Sequence, residues 1–349
     1  MTGLLDLAAE LLLQILEDLG PEFFRQDIRR LAICKRWHAL AWPTFIAELN
    51  LSSSSTLRLT YISKRSAFLT PLRHSVKTAR LSLQGDNDSS FCSSANPLNH
   101  PKALESYFQD EVTLDERSAR LNAPLHALAS ILPPDSTTRL RSLQLRVHGG
   151  NIPPSYLPLH PAPVLSLVSI VSLTSLDLDL AGHVTFWPEE NRMPEVHLCA
   201  VLNNLLPQLV SLRCRMGSMC EHLLHPPTCD DHEGGKPLKR MKELIVNASI
   251  PTGAHYRYPF GCRRPRVDVK AMKRQMERLV GLMENPRLVR LMCHAVEYDV
   301  YQLYARDVVP RGRCLVMRAD EAWDTEGGKR MVDPFGEDKD GGVVGEAGL

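Results

Sequence analysis

Two periodicities divide the chain. Residues 10–19, ELLLQILEDL, set Leu11, Leu12, Ile15, Leu16 and Leu19 at the i, i+1, i+4, i+5, i+8 spacing of a wide apolar helix face. GPEFF at 20–24 interrupts that helix. A second helix is expected from about Gln26-Asp27 through Ile28, Leu31, Ile33, Cys34, Trp37 and Leu40. Asp27 would sit at the positive end of its dipole and Lys35 and Arg36 nearer the negative end, the favourable order. WPTFIAELNL then closes the unit, and SSSST at 52–56 reads as a polar break. A module of about 45 residues rarely buries enough surface to be rigid alone. Its helices are apolar around much of their circumference, so a partner is expected to cover part of them.

Beyond the break the period falls from helical to two. RLSLQ at 80–84, RSLQLRV at 141–147, TSLDLDL at 174–180, VSLRCRM at 210–216, KELIVNA at 242–248 and VRLMCHA at 289–295 alternate as strands do. Several follow an apolar run of helical length. Examples are PLHALASILPP before the 141 strand, VHLCAVLNNLLPQ before the 210 strand and MKRQMERLVGLMENP before the 289 strand. The last places Met272, Met276, Leu279, Val280 and Met283 on one stripe. If Leu143, Leu176, Leu212 and Leu244 are equivalent, the units step by 33, 36 and 32 residues. Helix followed by short strand, repeated, resembles a leucine-rich-repeat solenoid, in which each unit's apolar face is covered by its neighbours. Standard repeats of this kind run about 20–29 residues, so an irregular α/β domain is the other reading. Interruptions around 85–118 and 218–238 are expected to be loops on one rim. From Asp320 the chain turns to Gly, Asp and Glu, too poor in large apolar residues to offset its ordering entropy, and a disordered tail is expected there.

The expected fold class is therefore α+β. An all-α module spans residues 1–50, a leucine-rich-repeat-like α/β region spans 57–318, and an acidic, Gly-rich tail spans 319–349. The composition fits an ordinary soluble protein: 349 residues, 44% hydrophobic and 23% charged, with a mean hydropathy of −0.18. A formal net charge of +1 gives no global field for nucleic acid or an anionic membrane. No run approaches the roughly 18 apolar residues that span a bilayer. Asp6, Glu10 and Glu17 break the N-terminal apolar run, unlike a secretory signal. Nine scattered cysteines suit reduced thiols, hence cytoplasm or nucleus.

The N-terminal residues resemble the F-box family. That motif runs Leu-Pro-x-Glu, an Ile-Leu pair and a Leu, Asp-Leu, then Val-Cys-Lys-x-Trp. Here stand Leu7, Ala8, Ala9 and Glu10; Ile15, Leu16 and Leu19; Asp27-Ile28; and Ile33, Cys34, Lys35, Arg36 and Trp37. Ala8 replaces the family's Pro, and the link from Leu19 to Asp27 is a few residues long. The resemblance covers about 45 residues. It implies docking to the Skp-type adaptor of an SCF ubiquitin ligase, and through it to a cullin and a RING subunit. The region after the module would capture an unidentified protein substrate. The implied adaptor-binding residues are Leu7, Glu10, Leu11, Ile15, Leu16, Leu19, Ile28, Leu31, Ile33, Cys34 and Trp37. The chain would be a receptor and not an enzyme, with no catalytic residue, cofactor, nucleic acid or membrane. The alternative is a scaffold that binds the adaptor without the cullin.

Rival chemistry is sparse. Cys34, expected in mid-helix among apolar neighbours, reads as an inert packed thiol. CEHLLHPPTCDDHEGG at 220–235 gathers Cys220, His222, His225, Cys229 and His232, and reads as a solvated loop, with a zinc site the alternative. HYRYPFGCRRPR at 255–266 reads as a surface loop, with phosphate or nucleic-acid binding the alternative. GDNDSS at 85–90 lacks the remaining ligands of a calcium loop.

Overall fold

A computed structural model describes residues 4–63, 69–84, 111–135, 137–148, 157–180, 184–186, 198–216, 219–226, 236–248, 269–297, 300–310, 313–317, 323 and 329–330. Helix α1, Ala9–Gln26, bends at Gly20, whose φ of 70° and ψ of 174° suit a residue without Cβ. Pro21 restarts the helix, and Phe24 in the resumed turn is buried. The GPEFF break is thus a kink, not an end. A 3-10 turn, Ile28–Leu31, is capped by Asp27, whose Oδ1 accepts from the Arg29 amide at 3.0 Å. Helix α2, Lys35–Ile46, begins later than the sequence suggests. Cys34 is its N-cap and not a mid-helix residue: Sγ accepts from the Trp37 amide at 3.4 Å.

Regular structure runs across the polar stretch at 52–56. Glu48–Ser52 is strand β1, the first of the sheet. The Ser run opens helix α3, Ser53–Ser63, with reciprocal caps: the Ser52 amide donates to Ser55 Oγ at 2.7 Å, and the Ser55 amide to Ser52 Oγ at 3.3 Å. Hydroxyls that read as linker satisfy the orphan donors of a helix start. The helical module therefore runs straight into the first α/β unit.

The strands then follow in chain order: β2 Thr78–Gln84, β3 Ser142–His148, β5 Ser175–Leu180, β7 Ser211–Met216, β8 Glu243–Asn247 and β9 Leu288–Glu297. Together with β1 they form seven parallel neighbours in sequential order. All six strands expected from the period-two pattern are present. Leu143 pairs with Leu176, Leu176 with Leu212 and Leu212 with Leu244, the same residues that set the spacing of 33, 36 and 32. A short parallel pair, β4 Leu157–Leu159 and β6 Val184–Phe186, stands apart.

Helices α4 Leu69–Ser75, α5 Glu111–Ile131, α6 Pro161–Val168, α7 Leu198–Leu205 and α8 Val269–Leu282 connect the strands. Helix α5 starts inside the 85–118 stretch expected to be a loop; residues 85–110 lie outside the described residues. The helices all pack on one alternating set of strand side chains, including Leu81, Leu145, Leu178, Cys214 and Val246. This one-sided winding follows from order and handedness: parallel crossovers turn right-handedly, so strands added always on the same side send every helix to the same face. In α8, Met272, Met276 and Leu279 are fully buried, as the stripe requires.

The sheet ends in antiparallel strands the alternation did not reveal: β10 Val300–Val309, β11 Arg313–Met317 and β12 Lys329–Arg330. Trp323 and β12 fall within the stretch from 319 expected to be a tail. Trp323 packs on a second core of Ile245, Met292, Leu303, Ala305, Leu315 and Met317, on the face of the sheet opposite the helices. Its carbonyl accepts from Arg290 Nη1 at 2.7 Å. A chain cut after residue 319 should lose about 1–3 kcal/mol, the cost of stranding a buried donor; equal urea midpoints for the full and cut chains would contradict this. Residues 331–349 lie outside the described residues. Among the described residues, no helix is long and apolar enough to cross a membrane.

Candidate functional site

The N-terminal module has an inside and an outside drawn from one apolar pattern. Leu12, Leu16, Phe24, Leu31, Trp37 and Ala41 form its core, with Leu5, Leu7, Phe23, Cys34, Leu40, Trp42 and Phe45 packed around them. Trp37 Nε1 donates to the Arg30 carbonyl at 2.6 Å, which fixes the 3-10 turn against α2. Leu16, Leu31 and Trp37, three of the eleven residues implied for adaptor binding, are therefore interior and present almost no surface to a partner. Leu7, Ile15 and Cys34 are half-buried, and Glu10 is exposed.

The rest face outward. Leu11 is 50% exposed, Ile28 57% and Ile33 58%, with Leu19 also exposed. Along α1, Leu11, Ile15 and Leu19 recur every four residues and so form one stripe, next to the buried stripe of Leu12 and Leu16. Leu4 and Leu13, absent from the motif comparison, are exposed as well. Of eight exposed large apolar residues among those described, these six fall within residues 4–33; the others are Leu57 and Val171. Scattered exposed apolar residues are ordinary, but their concentration in one small module makes it the candidate docking surface.

Arginines tie the module together, a role the sequence reading missed. Arg30 lies 4.2 Å from the Phe23 ring centroid and donates to the Phe23 carbonyl at 2.6 Å. Arg36, itself exposed, donates to the carbonyls of Leu5 and Leu7, at 2.5 and 2.7 Å. Arg25 donates to the Glu48 carbonyl at 2.5 Å and so joins α1 to β1.

The sheet face opposite the helices is the second candidate surface. Its inner rows follow the parallel register: Asn50, Arg80, Gln144, Asp177 and Arg213 in one, Ser52, Ser82, Arg146, Asp179 and Arg215 in the next. Arg80 donates to Glu48 and Asn50 at 3.1 and 3.2 Å. Gln144 donates to Asp177 at 2.5 Å, and Arg146 stands 3.6 Å from the same carboxylate. Arg213 pairs with Glu243 at 2.8 Å, and Arg215 grips Asp179 through Nε and Nη2, both at 2.7 Å. In each pair the arginine is the more exposed member. The carboxylates orient the guanidinium groups. Towards the C-terminal end Trp323 covers the face, its ring 5.0 Å from the Arg215 guanidinium.

The Cys/His cluster divides. Cys220 is buried and His222 exposed. The His222 and His225 rings stand 4.6 Å apart. Burial, then the neighbouring His222, hold His225 below the usual imidazole range. Cys229 and His232 lie outside the described residues, as do the 85–90 and 255–266 stretches. Among the described residues, no three His, Cys, Asp or Glu side chains are grouped to hold a metal. Cys214 is fully buried on β7, and burial pushes its thiol well above the usual range, an environment for packing and not for nucleophilic chemistry.

No protein-family model matches the chain, and neither a curated protein nor a solved structure does.

Proposed function

We propose that the chain is the substrate-recognition subunit of an SCF-type ubiquitin ligase. On this reading the N-terminal module is an F-box that docks a Skp-type adaptor, which brings the cullin and RING subunit. The parallel sheet and its helices are an irregular leucine-rich-repeat-like solenoid. The polar face of β2–β7 captures a protein substrate, and the chain itself makes and breaks no covalent bond. The observation that carries the reading is the exposed apolar face of the module, gathered over a complete small core. The order and spacing of the F-box-like residues support it. The paired leucines of β3, β5, β7 and β8 support the repeat reading.

The test uses Ile28 and Ile33, exposed and outside the core, so their loss leaves the fold intact. Burial of one such side chain contributes about 1.5–3 kcal/mol. Changing both to Ala should weaken binding to purified adaptor about a hundredfold, with an unchanged denaturation midpoint. An unchanged dissociation constant would remove this docking mode. Affinity purification then separates the ligase from the scaffold: the ligase reading requires cullin with the adaptor, whereas adaptor alone favours a scaffold.

A further inference from the structure

The start of α1 lacks the devices that usually fix a helix N-terminus. Its N-cap is Ala8, which has no side chain to accept a backbone amide. The chain before it, Leu4–Asp6, is a single 3-10 turn, and such short pieces hold together poorly alone. Yet this leader carries exposed Leu4 and sets Leu5 and Leu7 against the edge of the module core. Two bonds to it come from 29 and 31 residues away: the two Nη groups of Arg36 fork onto the carbonyls of Leu7 and Leu5.

We infer that Arg36 is a positioning residue, which clamps the leader in the conformation that presents Leu4 and Leu7 to the adaptor. The inference rests on the docking reading above and adds how the face is assembled. A guanidinium suits the task because its planar fork can donate to two carbonyls at once, whereas an ammonium is a point donor. Arg36 also sits in the first turn of α2, one residue before the core anchor Trp37, so the clamp is mounted on a fixed base. The backbone at Ala8, with φ of −56° and ψ of 149°, lies where a proline ring would hold it. A proline there would stiffen the leader from within and relieve the dependence on Arg36.

The experiment uses the full chain and purified Skp-type adaptor, with five proteins: the natural chain, Arg36→Ala, Arg36→Lys, Ala8→Pro and the variant that combines Arg36→Ala with Ala8→Pro. Arg36→Ala should weaken adaptor binding on the order of tenfold and speed hydrogen exchange of the amides at residues 7–12. The α2 amides should keep their protection. Adding Ala8→Pro should restore most of the lost affinity, and Arg36→Lys should fall between. If the natural chain binds and Arg36→Ala binds equally well, the clamp has no role in docking. If affinity falls while the leader's exchange is unchanged and Ala8→Pro restores nothing, Arg36 acts by another route and positioning is refuted. If the natural chain binds no adaptor, the docking reading itself fails, and the positioning role fails with it.

Discussion

Replacing Asp307 with Ala should cost about 3–5 kcal/mol, enough to unfold the C-terminal part of the sheet. Asp307 is on β10 and Arg290 on β9, with side-chain exposures of 0% and 1%. Two hydrogen bonds join them, Nε to Oδ1 at 2.5 Å and Nη2 to Oδ2 at 3.0 Å. Arg313 on β11 approaches the same carboxylate at 3.7 Å, so one aspartate serves two cations. Without it, Arg290 keeps its charge inside the sheet and loses both carboxylate bonds, while its bond to the Trp323 carbonyl remains. That asymmetry dominates: a buried pair adds little net stability over apolar residues of the same size, but half a pair is costly. Arg290→Met combined with Asp307→Leu should therefore recover most of the loss. Denaturant unfolding of the two single variants and the double variant reads this directly. If Asp307→Ala unfolds at the natural midpoint, the pair is not the anchor of this hairpin.

The same pair shows where the sequence stops being legible. The parallel strands could be read because one face is buried by helices and the other is polar. Leu143-Gln144-Leu145 and Leu176-Asp177-Leu178 alternate for that reason. Strand β10 does not obey the rule, since both its faces meet packed side chains, Leu303 and Ala305 on one and Tyr304 on the other. Arg290 and Asp307, 17 residues apart in sequence, meet only because the hairpin brings β9 and β10 into register. Strand β1 was hidden by its neighbour: serines after ELNLS signal a linker by composition, and only the geometry shows them capping a helix. In the module, the i, i+1, i+4, i+5 pattern gave the width of the apolar face but not its division. Leu12 and Leu16 point in and Leu11 and Leu19 out, 100° apart on the same helix, a choice made by where α2 packs. Cys34 as an N-cap had no signal, because cysteine is a weak acceptor seldom used there.

Trp37→Ala should remove the module while sparing most of the sheet. A buried Trp truncated to Ala costs about 3–5 kcal/mol, and this one is 3% exposed at the centre of a core of only six fully covered residues. The variant also leaves the Arg30 carbonyl without the indole donor it now accepts from at 2.6 Å. The 3-10 turn that carries Ile28 loses its attachment to α2. Hydrogen exchange should therefore rise across residues 9–46, while β3, β5 and β7 stay protected in the larger core. Under the proposed docking, adaptor binding should disappear, because Leu11, Ile28 and Ile33 keep their positions only while the core beneath holds them. Trp37→Phe separates packing from the hydrogen bond. It keeps an aromatic ring in the core and loses the N–H, which should cost about 1–2 kcal/mol and leave docking measurable. A Trp37→Ala chain that keeps both its exchange protection over 9–46 and its adaptor affinity would show that the core closes without the indole.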